Sequence, residues 1–220
     1  DRSLADAGGK GLFIKELESG LLRGDADAAV HSMKDMDTTL ADGTRLAAVL
    51  PRDDRRDALV GPFQTLEDLP SGARVGTASV RRRALLLHHR PDLDIGLLRG
   101  NVNTRIAALQ DGQFDAIILA VAGLRRLGLD VDYAPLDLAV MPPSAGQGAL
   151  AIQTRDRDDP RSLAVMAASA DLGCAKTTTE VTAERALLGR LDGSCHTPIA
   201  ASATCDENGR LHLDGMILSE

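Results

Sequence analysis

Aromatic side chains are almost missing from this chain of 220 residues, which has three Phe, one Tyr and no Trp. That excludes a nucleic-acid surface built on base stacking, and a formal net charge of −7 removes the electrostatic attraction such a surface needs. The core must instead be built from Leu, Val, Ile and Ala, which suits short buried strands alternating with Ala-rich helices, an α/β pattern. Cysteine is also scarce. Cys174, Cys195 and Cys205 form no CxxC pair and have no histidine at zinc-ligand spacing. Neither a disulfide framework nor a metal site is expected, and the setting fits a reduced cytoplasm better than a secretory route. No apolar run reaches membrane-spanning length and no signal segment opens the chain, so a membrane partner is not expected either. The first residues, Asp1-Arg2-Ser3-Leu4, and the last, Gly215 to Glu220, both read as the interior of a longer protein.

What the chain does have is arginine in informative places. Gly76-Thr77-Ala78-Ser79-Val80-Arg81-Arg82-Arg83 joins a short strand candidate to a helix that Ser79 is suited to cap and that stops at Arg90-Pro91. Arg81, Arg82 and Arg83 then fall in the first turn, where the helix dipole is already positive and cations are disfavoured unless an anion sits among them. The arrangement repeats: Asp94 to Leu98 reads as a strand, and Arg99-Gly100-Asn101 leads to a helix near Thr104-Arg105. Two such turns side by side at the carboxyl edge of a parallel sheet predict an anion receptor.

The rest of the chain organises around that stretch. Leu12, Phe13, Ile14, Leu17, Leu21 and Leu22 have helical spacing and Gly24 ends the run. The strand Asp27 to Ser32 opens into Met33-Lys34-Asp35, which on spacing alone reads as a solvated turn. Leu46 to Leu50 is another strand, a helix is expected around Leu66 to Pro70, and Phe114 to Val121 reads as a central parallel strand followed by Arg125-Arg126. Charged residues 51–57 and the Gly/Pro-rich stretch 142–148 are the expected connectors between two α/β lobes, with a ligand cleft between them. Beyond a helix over 178–191, Cys195 lies in a glycine-containing turn with an accessible thiol, whereas an adjacent Cys195–His196 catalytic pair is not expected.

Six ordered segments, among them Val30-His31-Ser32-Met33-Lys34-Asp35, Leu98-Arg99-Gly100-Asn101-Val102-Asn103-Thr104-Arg105, Ala145-Gly146-Gln147-Gly148 and Gly193-Ser194-Cys195, resemble the porphobilinogen deaminase (hydroxymethylbilane synthase) family. The resemblance implies an enzyme that joins four porphobilinogen molecules head to tail with loss of ammonia, working on a dipyrromethane cofactor bound through Cys195. It implies Asp35 as the catalytic carboxylate, stabilising the cationic pyrrole left when ammonia departs. It further implies that Lys34, Arg81, Arg82, Arg99, Arg105 and Arg126 bind acetate and propionate groups, with Ser32, Thr77, Ser79 and Gln147 adding neutral hydrogen bonds.

The implied fold has three domains: 1–52 with 148–168, then 56–143, then an α+β unit over 172–220 that carries the cysteine. The two first domains are lobes like those of periplasmic binding proteins. The family's opening strand–helix–strand and the end of its third domain have no counterpart here, which implies a weakened first domain and poor or no turnover for these residues alone. A monomer with a small-molecule substrate is expected. The rival reading is a non-catalytic two-lobed receptor for a polycarboxylate or phosphate ester, which leaves Asp35 and Cys195 without a role.

Overall fold

The computed structural model describes residues 9–193 and 197–219, with side chains from Phe13 onward. Helix α1 (Gly9–Arg23) precedes strand β1 (Ala29–Ser32), a single 3-10 turn (Met33–Asp35) and β2 (Thr44–Val49). After residues 51–56 come β3 (Asp57–Val60), β4 (Arg74–Thr77), α2 (Val80–His89), β5 (Asp94–Leu97), α3 (Val102–Gln110), β6 (Ala116–Ala120), α4 (Val121–Leu127) and β7 (Tyr133–Pro135). The chain then returns through 142–148 to β8 (Leu150–Arg155) and α5 (Pro160–Ser169), and ends with α6 (Ala175–Arg190), β9 (Ile199–Cys205) and β10 (Leu211–Ile217).

The strands form three sheets, ordered β1-β8-β2, β5-β4-β6-β3-β7 and β10-β9. β8 is therefore the middle strand of the first sheet, although it arrives after the whole second sheet has been built. In the five-stranded sheet β4 pairs in parallel with both β5 and β6, while β3 runs antiparallel to β6 and β7. The expected parallel centre is thus correct for one neighbour of β6 and not for the other. An apolar run buried on both faces carries no record of its partner's direction.

Aliphatic side chains fill both faces of this sheet. Leu59, Val75, Leu85, Leu86 and Ile118 pack on one side, and Val60, Ile106, Ile117, Leu119 and Leu124 on the other. Each such side chain contributes roughly 1.5–3 kcal/mol by leaving water. A smaller cluster under the first sheet contains Met33, Met36, Val49, Ala149, Ala151 and Val181. The helix expected around Leu66 to Pro70 does not form. Leu66 and Leu69 are buried as a helix would bury them, but the Asp68 carboxylate accepts from the backbone N–H of Gln64 (3.2 Å) and Thr65 (2.8 Å), which stabilises a turn instead.

The two connectors run together. Asp53 N–H donates to Gly148 O at 3.1 Å, and Leu50 N–H to Leu150 O at 3.0 Å. Gly148 has φ +88°, and a Cβ there would lie 2.6 Å from Asp53 O, so the close approach requires glycine. One face of α6 grips both connectors through buried carboxylates. Glu184 accepts from Arg52 Nη1 (2.7 Å) and Nη2 (3.0 Å) and from Gly146 N–H (2.7 Å), while Glu180 accepts from Arg55 Nη2 at 3.3 Å. Arg52 Nε donates onward to Gln147 O at 2.8 Å. A single helix of the C-terminal unit therefore holds the crossing point.

Candidate active site

The site assembles at the ends of strands. β4 and β5 are parallel neighbours in register, Thr77 opposite Leu97, so the turns that follow them lie side by side. The first turn caps α2 as the sequence implies: Arg82 N–H donates to Ser79 Oγ at 3.4 Å, and Ser79 N–H donates to Thr77 Oγ1 at 3.1 Å. The second turn caps α3 through Asn101, whose side-chain oxygen accepts from Thr104 N–H at 2.9 Å.

Arg81 and Arg82 are not on the surface, being 3% and 6% exposed. The anion that their position demands is supplied inside the protein by Asp57, the first residue of β3 and fully buried. Asp57 Oδ2 accepts from Arg81 Nη2 at 2.7 Å, and Oδ1 accepts from Arg82 Nη2 at 2.6 Å. The remaining terminal nitrogens donate to main chain, Arg81 Nη1 to Pro142 O (2.5 Å) and Arg82 Nη1 to Ile118 O (3.0 Å). Burial pushes the Asp57 carboxyl up, but the Arg81 and Arg82 charges and hydrogen bonds outweigh it and hold the group well below the usual carboxylate range. Burial lowers the Arg81 pKa.

Gln147 is fully buried between the connectors and joins this array to the first sheet. Its Nε2 donates to Asp57 Oδ1 and to Arg55 O, both at 2.8 Å, and its Oε1 accepts from Lys34 Nζ and Ser144 Oγ, both at 3.4 Å. Lys34 and Asp35 lie in the 3-10 turn just after β1, whose last residue is Ser32. Arg105, near the start of α3, reaches back from the other side. Burial lowers its pKa, the Arg82 cation lowers it further and the Asp35 carboxylate raises it, which puts the three in one neighbourhood. Its Nε donates to Gly100 O at 2.8 Å.

Lys34, Asp35, Arg81, Arg82, Arg105 and Gln147 are thus brought together. Arg126 lies behind the connectors, where Nη2 donates to Gly148 O at 2.6 Å and Nε sits 4.0 Å from Asp53. Arg99 is exposed and lines a separate hollow of about 540 Å³ with Arg74, Thr104, Asp111 and Phe114. Cys195 lies outside the described residues. The chain leading to it is held by Gly193, whose N–H donates to Leu188 O at 2.9 Å and where a Cβ would meet Leu188 Cδ1 at 2.5 Å. Among the described residues no group of three or more His, Cys, Asp or Glu side chains could hold a metal ion, and no helix is long and apolar enough to cross a membrane.

Asp57, Glu180 and Glu184 are the residues that the sequence reading passed over. Glu180 and Glu184 stand at i, i+4 on the same stripe as Val181, and a carboxylate on a helix's buried stripe is a signal that a cation must meet it. The suitability for a carboxylated cofactor can be tested on the array itself. Lys34, Arg81, Arg82 and Arg105 outnumber Asp35 and Asp57, and the buried Nε atoms of Arg81 and Arg82 have no acceptor in the protein. The residues present fit an acidic ligand.

Fold and site define a mixed α/β protein with a cation-rich polar centre beside the connectors between its three-stranded and five-stranded sheets. The model of the porphobilinogen deaminase dipyrromethane cofactor binding domain matches residues 1–162, and that of the porphobilinogen deaminase C-terminal domain matches 178–220. Curated relatives named porphobilinogen deaminase include those of Nitrobacter hamburgensis (50% identical, covering 100% of this chain and 68% of the relative) and Phenylobacterium zucineum (52%, covering 92% and 62%). The Xanthomonas oryzae relative is 52% identical over 99% of this chain and 70% of its own length. The chain belongs to the porphobilinogen deaminase family.

Proposed function

We propose that this chain carries out the joining of porphobilinogen units into hydroxymethylbilane with release of ammonia, as a transferase of tetrapyrrole biosynthesis. The observation that carries the reading is the hydrogen-bonded array that joins Lys34, next to Asp35 at the end of β1, through Gln147 and Asp57 to Arg81 and Arg82 of α2. The dipyrromethane group, held through Cys195, would supply the pyrrole terminus to which each new unit is added. Arg82 and Arg105 bind the carboxylates of the substrate and cofactor, together with Lys34 and, through the orphaned Nε, Arg81. Arg99, which lines the separate hollow, and Arg126, held on Gly148 O, are not assigned to this array.

Asp35 acts on the reacting pyrrole. Its carboxylate accepts a hydrogen bond from the pyrrole N–H and stabilises positive charge developing in the ring as ammonia departs. The surrounding guanidinium groups fix the substrate's register against that carboxylate. Ser32, Thr77 and Ser79 line the two strand ends from which these groups project. The protein works as a cytoplasmic monomer on a small-molecule substrate, with no nucleic-acid or membrane partner.

The test is intact mass plus turnover. A dipyrromethane adduct on Cys195 and porphyrinogen formation from porphobilinogen are expected. In Asp35→Ala the adduct stays and turnover falls at least a hundredfold, while Arg82→Glu abolishes loading. A chain that gains no mass on incubation with porphobilinogen and forms no product overturns the proposal.

A further inference from the structure

Asp57 is placed at the base of the site but has no part in the chemistry above. Its two oxygens take three side-chain donors, Arg81 Nη2, Arg82 Nη2 and Gln147 Nε2, and all of its surface is buried. Each guanidinium it holds is fixed at a second corner by a carbonyl from a different element, Pro142 for Arg81 and Ile118 for Arg82. A planar group pinned at two corners has one remaining orientation, so the Nε edge of each is set by the choice of Asp57 as shared acceptor. Gln147 is set in the same way. Because Asp57 takes its Nε2, the amide must turn its oxygen toward Lys34 Nζ.

We propose that Asp57 is a positioning residue for the deaminase site, which orients Arg81, Arg82 and, through Gln147, Lys34 as one array and touches no substrate itself. The inference rests on the function proposed above. Its physical content is geometric as well as electrostatic. Two adjacent cations repel and, without a shared counter-ion, would take separate rotamers. With it they present a fixed spacing to the carboxylates of the ligand.

The experiment compares the wild-type chain with Asp57→Asn, Asp57→Glu and Arg155→Lys. Asparagine keeps the shape and turns one acceptor into a donor facing cations. Glutamate keeps the charge but shifts it by one methylene. Arg155→Lys is a stability control, because Arg155 is buried in β8 and bonds Leu21 O, Ala26 O and Asp27 rather than any site residue. Asp57→Asn is expected to raise KM for porphobilinogen roughly tenfold to a hundredfold, with a smaller change in kcat, and to lower the fraction of chain carrying the adduct mass. Asp57→Glu should recover part of both, and Arg155→Lys should lower Tm without moving either. If Asp57→Asn proves too unstable to purify, Asp57→Glu decides alone: KM and loading must change by more than in the control. Wild-type activity with KM and loading in the Asp57 variants within twofold of wild type overturns the positioning role. A wild-type chain that neither loads nor turns over overturns the function and this role with it.

Discussion

His31 and Asp57 show how burial turns single side chains into pH-sensitive supports. His31 lies in β1, 5% exposed, with Nε2 lacking a partner. Burial lowers its pKa from the ordinary 6.5, against smaller opposing contributions from Gln153 and Glu18. The unfolded chain therefore binds this proton more readily than the folded one. The stability so gained is complete above 6.5 and is lost as pH falls through the lower folded value. Thermal melts should show Tm decreasing below that point, and His31→Gln should flatten the slope there. Asp57 acts in a more acid window. Its depressed folded pKa gives stability that is present above the ordinary 3.8 and is lost as pH drops below it toward the folded value. A melt series from neutral to strongly acid pH should show this second loss, and Asp57→Asn should lack it. Neither effect is legible in sequence, because the partners of Asp57 stand 24, 25 and 90 residues away. In a list of letters Asp57 is the last member of a charge run.

Helix starts were the most readable elements, since their determinants are local. Ser79 and the turn before α2 could be assigned from a handful of neighbours, and the hydroxyl does accept from Arg82 N–H. Ser79→Ala should therefore cost about 1 kcal/mol, seen as a lower urea midpoint with unchanged m-value. The same logic applies to α5, where Asp159 precedes Pro160 and accepts from Arg161 N–H (3.0 Å) and Ser162 N–H (3.1 Å). That signal is local and present in the sequence. The turn at 64–69 is the reverse case: Leu66 and Leu69 suggest a helix, and one aspartate on two backbone donors decides for a turn. Asp35 and Cys195 needed the resemblance, because an isolated Lys34-Asp35 or a lone thiol has no local pattern that distinguishes it from surface.

For the whole molecule, the junction of the connectors with α6 is the point of greatest leverage. Arg52 and Glu184 have side chains only 5% and 0% exposed, so removing one leaves the other a buried charge with only a longer 3.9 Å ion pair, Arg52 to Glu180 or Glu184 to Arg55. Glu184→Ala should destabilise by about 3–5 kcal/mol, measured by equilibrium urea unfolding, and should also loosen Gly146, whose N–H it accepts. Gly148→Ala should be comparably harmful, given φ +88° and a Cβ 2.6 Å from Asp53 O. Loss in either variant without change in the other's partners would separate charge from backbone strain.

The place of β8 between β1 and β2 has a consequence for biogenesis. As the chain emerges from the ribosome, β1 and β2 must wait without their central partner until residue 155 is made, while the five strands of the second sheet, all complete by residue 135, can already close on one another. The five-stranded sheet therefore matures before the three-stranded one, and β1 and β2 are the strands that most need shielding during translation.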